Sequence, residues 1–307
     1  MKIAVIGSGA MGMLFGGYLS KGNEVVLLDT DKIKVDTINK TGIRIQEPDG
    51  NVTAAAPKAT LSAEEVGEVD LILLFVKAMD SKSALRANRR LIGPNTYVLS
   101  LQNGSGHDAA MKESVAENRI AIGTTQHNSS IIEAGLIHHG GGGKTYIGPL
   151  SGNGRRLKPI EGALTKCGIE TQIIDNIRRK IWEKLFINAS ASALTAILRT
   201  NLGFIVENSS AWALARQLVK EAVAVANREG MGFEEEKVLD ELQRLLKQAR
   251  NGYTSIYADI RDGRKTEADF ISGAVVAAGM RANVPTPGHE LVLGLIHALE
   301  DRNPLNP

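Results

Sequence analysis

Residues 1–12 read MKIAVIGSGAMG, a short apolar run that leads into a glycine-rich turn. The Gly-x-Gly-x-x-Gly spacing, directly after a predicted strand and at the start of a predicted helix, is typical of a dinucleotide-binding fold. The first glycine permits the tight turn, the second lets a pyrophosphate approach the backbone, and the third lets helix and strand pack closely. The helix N-terminus then faces the phosphate charge. We therefore predict that a dinucleotide binds at Gly7, Ser8, Gly9, Ala10, Met11 and Gly12.

The choice of nicotinamide cofactor is predicted from Asp29, which ends the second predicted strand twenty residues after Gly9. A carboxylate there can accept both ribose hydroxyls of an adenosine, and it repels a 2′-phosphate. The next residue is Thr30 rather than an arginine, which fits this interpretation. Lys32 and Lys34 lie close enough in sequence to bind a 2′-phosphate instead, or they are simply solvated helix charges. We expect NAD(H) to be favoured over NADP(H).

Outward from this turn, the first half alternates apolar strands with helical patterns, which predicts a parallel sheet covered on both faces. Pro48-Asp49-Gly50 predicts the turn of a small hairpin between Ile43–Gln46 and Val52–Ala54. His138 to Lys144, with four consecutive glycines, predicts an irregular loop. The predicted strands are Ile3–Ile6, Glu24–Leu28, Leu71–Val76, Tyr97–Leu101 and Ile120–Gly123, and the predicted helices are Met11–Lys21 and Lys82–Leu91.

After about Asp175 the pattern becomes helical, with almost no strand signal. The fold class is therefore α/β, a Rossmann dinucleotide-binding domain over residues 1–172 followed by an all-α substrate and catalytic domain over residues 173–307. A cleft between two such domains is a common place for a small-molecule site. The predicted helices are Ile181–Leu198, Ala211–Glu229, Glu234–Gln248, Thr254–Arg261 and Ala268–Ala282.

Composition excludes several classes of protein. The 307 residues carry a formal net charge of +2, so there is no electrostatic reason to expect a nucleic-acid partner. The longest strongly apolar run, Leu71–Val76, is far shorter than the roughly 20 residues of a membrane span. Cys167 is the only cysteine, so no intrachain disulfide can form and a cytoplasmic location is expected. The spacing of the histidines matches no zinc pattern, so no metal site is expected.

A candidate catalytic group lies on the first predicted helix of the second half. Lys184, Asn188 and Ser192 are spaced at i, i+4 and i+8, which places them along one helical stripe. A lysine buried in a closed cleft would have a lowered pKa, which suits a general acid that protonates a carbonyl oxygen as hydride arrives. The alternative is an amphipathic helix whose lysine extends to water. The spacing alone does not decide between them.

Five separated motifs, in order along nearly the whole chain, resemble the ketopantoate reductase family. Such a resemblance implies reduction of a 2-keto acid to a D-2-hydroxy acid with a nicotinamide cofactor, most directly of 2-dehydropantoate (ketopantoate) in pantothenate biosynthesis. The motifs are the initial MKIAVIGSGAMG, Val76-Lys77-Ala78, Gln102-Asn103-Gly104, Trp182-Glu183-Lys184-Leu185 with Asn188, and Ser255 … Asp259 … Gly263-Arg264-Lys265-Thr266-Glu267.

The resemblance also implies roles for individual residues. It makes Lys184 the general acid and Glu267 the carboxylate that orients the lysine or the substrate hydroxyl. Asn188 then binds the substrate and Ser255 holds its carboxylate. Asn103 lies near the nicotinamide ribose and also contacts the substrate, and Lys77 lies at the C-terminal edge of the sheet, close to the same pocket. From the residues alone, Thr266-Glu267-Ala268-Asp269 also looks like a capping box, in which Glu267 would only favour a helix N-terminus.

Two departures from the family pattern keep the substrate open. Ser192 stands where many members carry a second substrate-binding asparagine, and Gly252 stands where another asparagine is common. Together with Asp29, they leave an NAD-dependent D-2-hydroxyacid dehydrogenase for branched or aromatic 2-keto acids as the alternative. A 3-hydroxyacid dehydrogenase and a non-catalytic NAD-responsive protein are further hypotheses. The C-terminal helices could pair between subunits in a homodimer, which no sequence pattern decides.

Overall fold

The computed structural model describes residues 1–302, which divide into two compact units. The first comprises Met1–Gln102 and His107–Lys180. The second comprises Asn103–Gly106 and the residues from Ile181 onward. Each unit has its own hydrophobic core. The short segment Asn103–Gly106 therefore belongs to the second unit, although in sequence it interrupts the first.

The first unit contains the strands of the described chain, which form two sheets. The central strands are near-continuous apolar runs because both of their faces are covered. In β1, for example, the side chains from Ile3 to Ile6 are at most 3% exposed. The strands are β1 (Lys2–Ile6), β2 (Glu24–Leu28), β3 (Ile43–Gln46), β4 (Val52–Ala55), β5 (Lys58–Thr60), β6 (Leu71–Leu74), β7 (Tyr97–Ser100), β8 (Ile120–Thr125), β9 (Asn128–Glu133), β10 (Leu136–Gly141), β11 (Thr145–Pro149) and β12 (Thr171–Ile173).

The larger sheet has the order β12-β11-β8-β7-β6-β1-β2-β5. Its neighbours pair in parallel, as predicted, except β8 and β11, which are antiparallel. The strands β1, β2 and β6 lie side by side with Ile6 paired to Leu28 and to Leu74. Their carboxyl ends therefore meet at one edge of the sheet, the edge where the glycine turn begins.

The second sheet has the order β4-β3-β10-β9. The predicted hairpin is confirmed, because β3 and β4 pair antiparallel from Ile43 opposite Ala55 to Gln46 opposite Val52. The prediction of an irregular loop from His138 was wrong in part, since β10 continues through His138 to Gly141. Backbone pairing to β3 and β9 holds these residues in the sheet, and Ile137 and His139 are buried.

The helices account for the second unit almost entirely, as the sequence predicts. The aromatic side chains of Trp182, Phe186 and Phe233 pack in its core, with Phe186 and Phe233 edge to face at 4.8 Å between ring centres. No helix within residues 1–302 is long and apolar enough to cross a membrane. The helices are α1 (Ala10–Leu19), α2 (Lys32–Thr41), α3 (Ser81–Ala87), α4 (Asp108–Lys112), α5 (Lys158–Lys166), α6 (Ile177–Ile187), α7 (Ala193–Leu198), α8 (Leu202–Glu207), α9 (Ser209–Arg228), α10 (Glu235–Gln248), α11 (Ser255–Arg261), α12 (Ser272–Ala282) and α13 (Pro287–Arg302).

Candidate functional site

The glycine turn after β1 is shaped by contacts that exclude side chains. Gly7 has a φ of +98°, and a Cβ on it would lie 2.7 Å from the backbone nitrogen of Val76. A Cβ on Gly12 would lie 1.9 Å from the carbonyl oxygen of Gly7. A Cβ on Gly9, by contrast, would meet no atom within 4 Å. Gly7 and Gly12 thus hold the strand and helix together, while the backbone of Gly9 faces open space.

The N-terminus of α1 follows this turn directly. Gly9 is its N-cap residue and supplies no side-chain hydrogen bond, and its first turn, which contains Ala10 and Met11, carries no acidic residue. The first backbone N–H groups of a helix lack partners within the helix and carry partial positive charge. The turn therefore presents N–H donors that suit an anion such as a pyrophosphate.

Asp29, just after β2, is held beside the glycine turn by Ser8. The backbone N–H and the hydroxyl of Ser8 donate to Asp29 Oδ2 at 2.8 and 2.6 Å, and the backbone N–H of Asp31 donates to Oδ1 at 3.0 Å. Burial raises the pKa of Asp29, but the hydrogen bonds from Ser8 and Asp31 outweigh it and keep the pKa below its ordinary value. The carboxylate is therefore ionised near neutral pH. The ammonium of Lys34 lies 3.8 Å from Oδ2.

A cavity of about 540 Å³ opens beside Asp29 in the first unit. Its charged lining residues are the carboxylates Asp29, Glu64 and Asp80, and neither lysine nor arginine contributes to its lining among the described residues. The remaining lining residues are Ile6, Gly7, Leu28, Thr30, Leu61, Ser62, Ala63, Val76, Ser83, Ala84, Ala87 and Asn88. The cavity thus adjoins both Gly7 and the carboxylate and has a negative lining.

Gln102 joins the ends of β6 and β7, a role that the sequence pattern did not predict. Its side-chain amide donates to the Val76 carbonyl at 2.7 Å and to Ser81 Oγ at 2.8 Å, and its Oε1 accepts from Ser100 Oγ at 2.8 Å. Gln102 is 8% exposed, so these bonds are buried. They fix the segment that carries Lys77, the N-cap residue of the 3₁₀ helix Ala78–Asp80. The sequence signal for such a set of hydrogen bonds is a polar residue directly after a strand end.

In the second unit, the structure brings Lys184 and Glu267 together, although 83 positions separate them in sequence. Burial lowers the pKa of Lys184 to about 8, while the nearby carboxylate of Glu267 acts in the opposite direction. A group with this pKa carries a proton near neutral pH and releases it readily, which is what general acid catalysis requires. The alternative of a lysine that extends to water does not fit a lysine whose pKa burial lowers.

The helix that carries Lys184 changes its geometry one turn later. α6 ends at Ile187, and Asn188–Ser192 form a π-helical segment before α7. The hydroxyl of Ser190 donates to the Phe186 carbonyl at 2.6 Å within this segment. Regular α-helical spacing therefore holds from Lys184 to Asn188 but not on to Ser192, which is 4% exposed. The uniform stripe that we predicted is interrupted, and π-helical segments of this kind are common at functional sites.

The alternative for Glu267, a helix cap in a capping box that begins at Thr266, does not hold. Ala268–Phe270 form a short 3₁₀ helix, and Glu267, its N-cap residue, makes no side-chain capping bond. The hydroxyl of Thr266 accepts from the Ala268 N–H at 3.1 Å, whereas Asp269 accepts from His297 at 2.9 Å instead of reaching back to Thr266. The carboxylate of Glu267 is thus not used as a cap.

Ser255 and Asn103 lie on two other segments of the second unit. Ser255 is the exposed first residue of α11, whose N-cap Thr254 also bonds to Thr195 at 2.8 Å between hydroxyl oxygens. Asn103 precedes Gly104, whose φ is +85° and whose Cβ would lie 1.9 Å from the carbonyl oxygen of Phe270. This segment is therefore fixed against the 3₁₀ helix that follows Glu267.

Comparison with known proteins supports a single family. The model described as "Ketopantoate reductase PanE/ApbA" matches residues 3–152, and the one described as "Ketopantoate reductase PanE/ApbA C terminal" matches residues 176–300. A 2-dehydropantoate 2-reductase of Halobacterium salinarum is 31% identical over 289 residues, 94% of this chain and 95% of that protein. One of Pyrococcus abyssi is 34% identical over 303 residues, 98% of each.

A solved structure agrees over the whole length. The ternary structure of D-mandelate dehydrogenase with NADH and anilino(oxo)acetate has a TM-score of 0.93 and 31% identity to this chain, and covers 100% of both chains.

Proposed function

The chain belongs to the ketopantoate reductase family, and on that basis we propose that it reduces 2-dehydropantoate (ketopantoate) to the D-2-hydroxy acid with NADH. A member of this family is an oxidoreductase that uses a nicotinamide cofactor. The observation that carries the assignment concerns Lys184, which lies beside Glu267. Burial lowers the pKa of Lys184 to about 8, close to neutral pH. These are the positions that correspond to the family's proton donor and its partner.

The residues of the first unit fit a dinucleotide. The open space at Gly9 leaves room for a pyrophosphate where any larger residue would place a Cβ, and the helix N-terminus supplies donors. Gly7, Ser8, Ala10, Met11 and Gly12 complete this turn, and Asp29 would hold the ribose hydroxyls. Lys77 and, from the second unit, Asn103 would contact the nicotinamide end. When bound, the cofactor supplies the hydride for reduction of the keto carbon.

The preference for NAD(H) rests on charge. Asp29, Glu64 and Asp80 line the cavity beside the glycine turn, and they would repel a 2′-phosphate. Lys34 is the opposing feature, since its ammonium lies 3.8 Å from Asp29 Oδ2. Asp29 also takes two hydrogen bonds from Ser8, which keep it ionised and oriented. Arg90 also offsets part of the negative charge, since its Nε lies 3.4 Å from Glu64 Oε2. Because Asp29 lies directly beside the glycine turn, NADH is the expected cofactor.

We assign the catalytic roles to Lys184 and Glu267, within residues 173–307, and cofactor binding to residues 1–172. Asn103 would also bind the substrate. Lys184 keeps a proton on Nζ and donates it to the carbonyl oxygen of the substrate as that oxygen gains negative charge. Glu267 raises the pKa of Lys184, which keeps the proton available at neutral pH. Asn188 and Ser192 would bind the substrate, and Ser255 would hold its carboxylate through its exposed hydroxyl.

The second candidate, an NAD-dependent D-2-hydroxyacid dehydrogenase for branched or aromatic 2-keto acids, is favoured by Gly252. A Cβ on Gly252 would lie 3.0 Å from the carbonyl oxygen of Ala249, to which its own N–H donates at 2.7 Å. An asparagine here would need the turn to give by a few tenths of an ångström. With Ser192 in place of a second asparagine, the chain lacks two amides that could bind the hydroxyl end of ketopantoate. The likeness to D-mandelate dehydrogenase also supports this candidate.

Steady-state kinetics with a substrate panel test both candidates. Ketopantoate, a second branched 2-keto acid and phenylglyoxylate are each assayed with NADH and with NADPH. A 3-hydroxy acid is assayed in the oxidative direction with NAD⁺ and NADP⁺. The highest kcat/KM with ketopantoate supports the first candidate, and the highest with the branched or aromatic acid supports the second. Turnover of the 3-hydroxy acid alone, or tight NADH binding without turnover of any acid, would refute both. A higher kcat/KM with NADPH would refute the cofactor assignment.

A further inference from the structure

Glu300, in the last turn of α13, makes three contacts with the loop that precedes Glu267. Its Oε1 accepts the backbone N–H of Thr266 at 2.9 Å and the Thr266 hydroxyl at 2.6 Å. Its Oε2 accepts the ammonium of Lys265. The side chain of Glu300 is only 5% exposed. One buried carboxylate therefore binds two consecutive residues of this loop.

These contacts fix the residue directly before Glu267. Thr266 is fully buried, and while its hydroxyl donates to Glu300, the same oxygen accepts the N–H of Ala268 at 3.1 Å. Thr266 thus fixes the backbone before Glu267 through its bonds to Glu300, and the backbone after Glu267 through the bond from Ala268. The loop begins at Gly263 with a φ of +66° and has no regular hydrogen-bond ladder of its own before the 3₁₀ helix. Backbone bonds to α11 hold its first residues, Gly263 and Arg264, and side-chain contacts hold the part nearer Glu267.

We propose that Glu300 is a positioning residue, which holds the loop so that the carboxylate of Glu267 faces Lys184. This inference deepens the proposed function and rests on it, because it assigns the control of the proton donor to a residue outside the catalytic groups. Glu300 touches neither Lys184 nor Glu267 in the contacts described; it acts through Thr266. Without it, Thr266 loses its acceptor and Glu267 loses its fixed backbone.

The charges around Glu300 support a stable contact. Burial raises the pKa of Glu300, but the hydrogen bonds from Lys265 and Thr266 outweigh it, so the pKa lies below its ordinary value and the group stays ionised at neutral pH. The nearby carboxylates of Asp269 and Asp301 also raise the pKa of Lys265, and His297 of α13 bonds to Asp269. Glu267 is the charged group that raises the pKa of Lys184.

The test measures the pKa of Lys184 directly, by competitive acetylation over a pH series followed by mass spectrometry. The variants are Glu300→Ala, Glu300→Gln and Glu267→Gln, in the full-length protein without substrate. Displacement of Glu267 removes the interaction that raises this pKa. We therefore expect Glu300→Ala to lower it below that of wild type, in the same direction as Glu267→Gln. Glu300→Gln keeps an oxygen acceptor for Thr266, and we expect it to stay near wild type.

Asp301→Asn is the matched control, since it removes the next carboxylate along α13 and should leave the pKa of Lys184 unchanged.

In kinetics, Glu300→Ala should lower kcat by about tenfold or more, move the alkaline limb of the reductive pH profile to lower pH and leave the Kd for NADH unchanged. Should Glu300→Ala not fold, Thr266→Val takes its place; it removes the hydroxyl that donates to Glu300 and accepts from the Ala268 N–H.

Two results would overturn the inference. One is a Lys184 pKa that falls in Glu267→Gln but not in Glu300→Ala or Thr266→Val. The other is a loss of thermal stability in Glu300→Ala with an unchanged pH profile, which would make Glu300 merely structural. Failure of the proposed function is a separate result, because the labelling needs no substrate, whereas the substrate panel does.

Discussion

Ser8 directs both its backbone N–H and its hydroxyl to the same oxygen of Asp29, at 2.8 and 2.6 Å. The glycine turn and the end of β2 are thereby joined through one ionised carboxylate. Each hydrogen bond to a charged group contributes about 1.5–3 kcal/mol, so the two bonds from Ser8 fix the orientation of this carboxylate. That orientation decides how the carboxylate can accept the hydroxyls of a bound ribose.

Asp29→Asn should lower kcat/KM with NADH by about 10- to 100-fold, because a neutral amide is a weaker acceptor for two hydroxyls. The same change should leave or raise kcat/KM with NADPH, since the repulsion of a 2′-phosphate is reduced. Initial rates with both cofactors measure the ratio. Asp49→Asn, which changes an exposed carboxylate in the turn between β3 and β4, is the control and should leave the ratio unchanged. An unaltered ratio in Asp29→Asn would contradict the assignment.

Gly9→Ala should leave the fold intact and weaken cofactor binding. Its Cβ would meet no protein atom within 4 Å, and its φ of −70° suits alanine, so the substitution strains nothing in the chain. The methyl group would instead occupy space that a pyrophosphate needs, so the Kd for NADH should rise by about tenfold or more. Fluorescence titration gives the Kd and thermal unfolding gives the Tm.

Gly162→Ala is the control for this measurement. Gly162 lies within α5, where a Cβ also meets nothing within 4 Å. Alanine there should stabilise the helix by about 1 kcal/mol and leave the Kd for NADH as it is. Equal Kd values for both variants would show that no phosphate approaches Gly9.

Lys184→Met should lower kcat by about 10²- to 10⁴-fold, the typical contribution of a general acid, because methionine fills similar space without a proton to give. The Kd for NADH should not change, since the residues assigned to cofactor binding in the glycine turn and at Asp29 are untouched. Lys220→Met, at an exposed lysine on α9, serves as control. In wild type, reduction should decline as the pH rises through about 8, the pKa at which Lys184 loses its proton. Near-full turnover in Lys184→Met would exclude Lys184 as the donor.

The protein should lose stability as the pH falls below 6.5. Burial lowers the pKa of His107 to about 4, and it also lowers the pKa values of His127 and His289. These side chains are neutral in the fold but take up protons when unfolded, so the stability from their burial is fully present above pH 6.5. It is lost as the pH falls toward the folded pKa. For His107 alone the free energy of unfolding should drop by about 2 kcal/mol at pH 5.

Urea unfolding at pH 7 and pH 5 measures this loss. His107→Leu should show a smaller difference between the two pH values than wild type, because it removes one group that protonates on unfolding. His297→Asn, at a histidine whose side chain is 40% exposed, is the control and should keep the wild-type difference. The prediction is wrong if His107→Leu and wild type lose the same free energy.

Local pattern was enough to predict the elements that position the cofactor site. The apolar runs at Ile3 and Leu71 are buried on both faces, so composition alone marks them as central parallel strands. The strand β9 escaped prediction because most of its residues are exposed and it carries little apolar alternation. β10 escaped it because its pairing to β3 joins residues about ninety positions apart. Such non-local pairing leaves no local signal.

Within the candidate site, the glycine turn and the helix that carries Lys184 were predicted, but the contacts that adjust their geometry were not. The π-helical segment at Asn188 depends on packing in the second unit, and regular spacing gave no hint of it. Glu300 lies 33 positions after Glu267, and its contacts with Thr266 exist only in the folded chain. The start of α13 does carry a local sequence signal for a helix, because proline is favoured at the first position of a helix and α13 begins at Pro287.

The small segment Asn103–Gly106 has a consequence for protein engineering. The chain passes between the two units at positions 102–103, 106–107 and 180–181, and the Ser105 N–H donates to the Phe270 carbonyl at 2.9 Å. A chimaera with a single junction near residue 180 would pair a foreign Asn103–Gly106 with a native partner. To exchange the halves of two homologues, these four residues must be transplanted along with the C-terminal half.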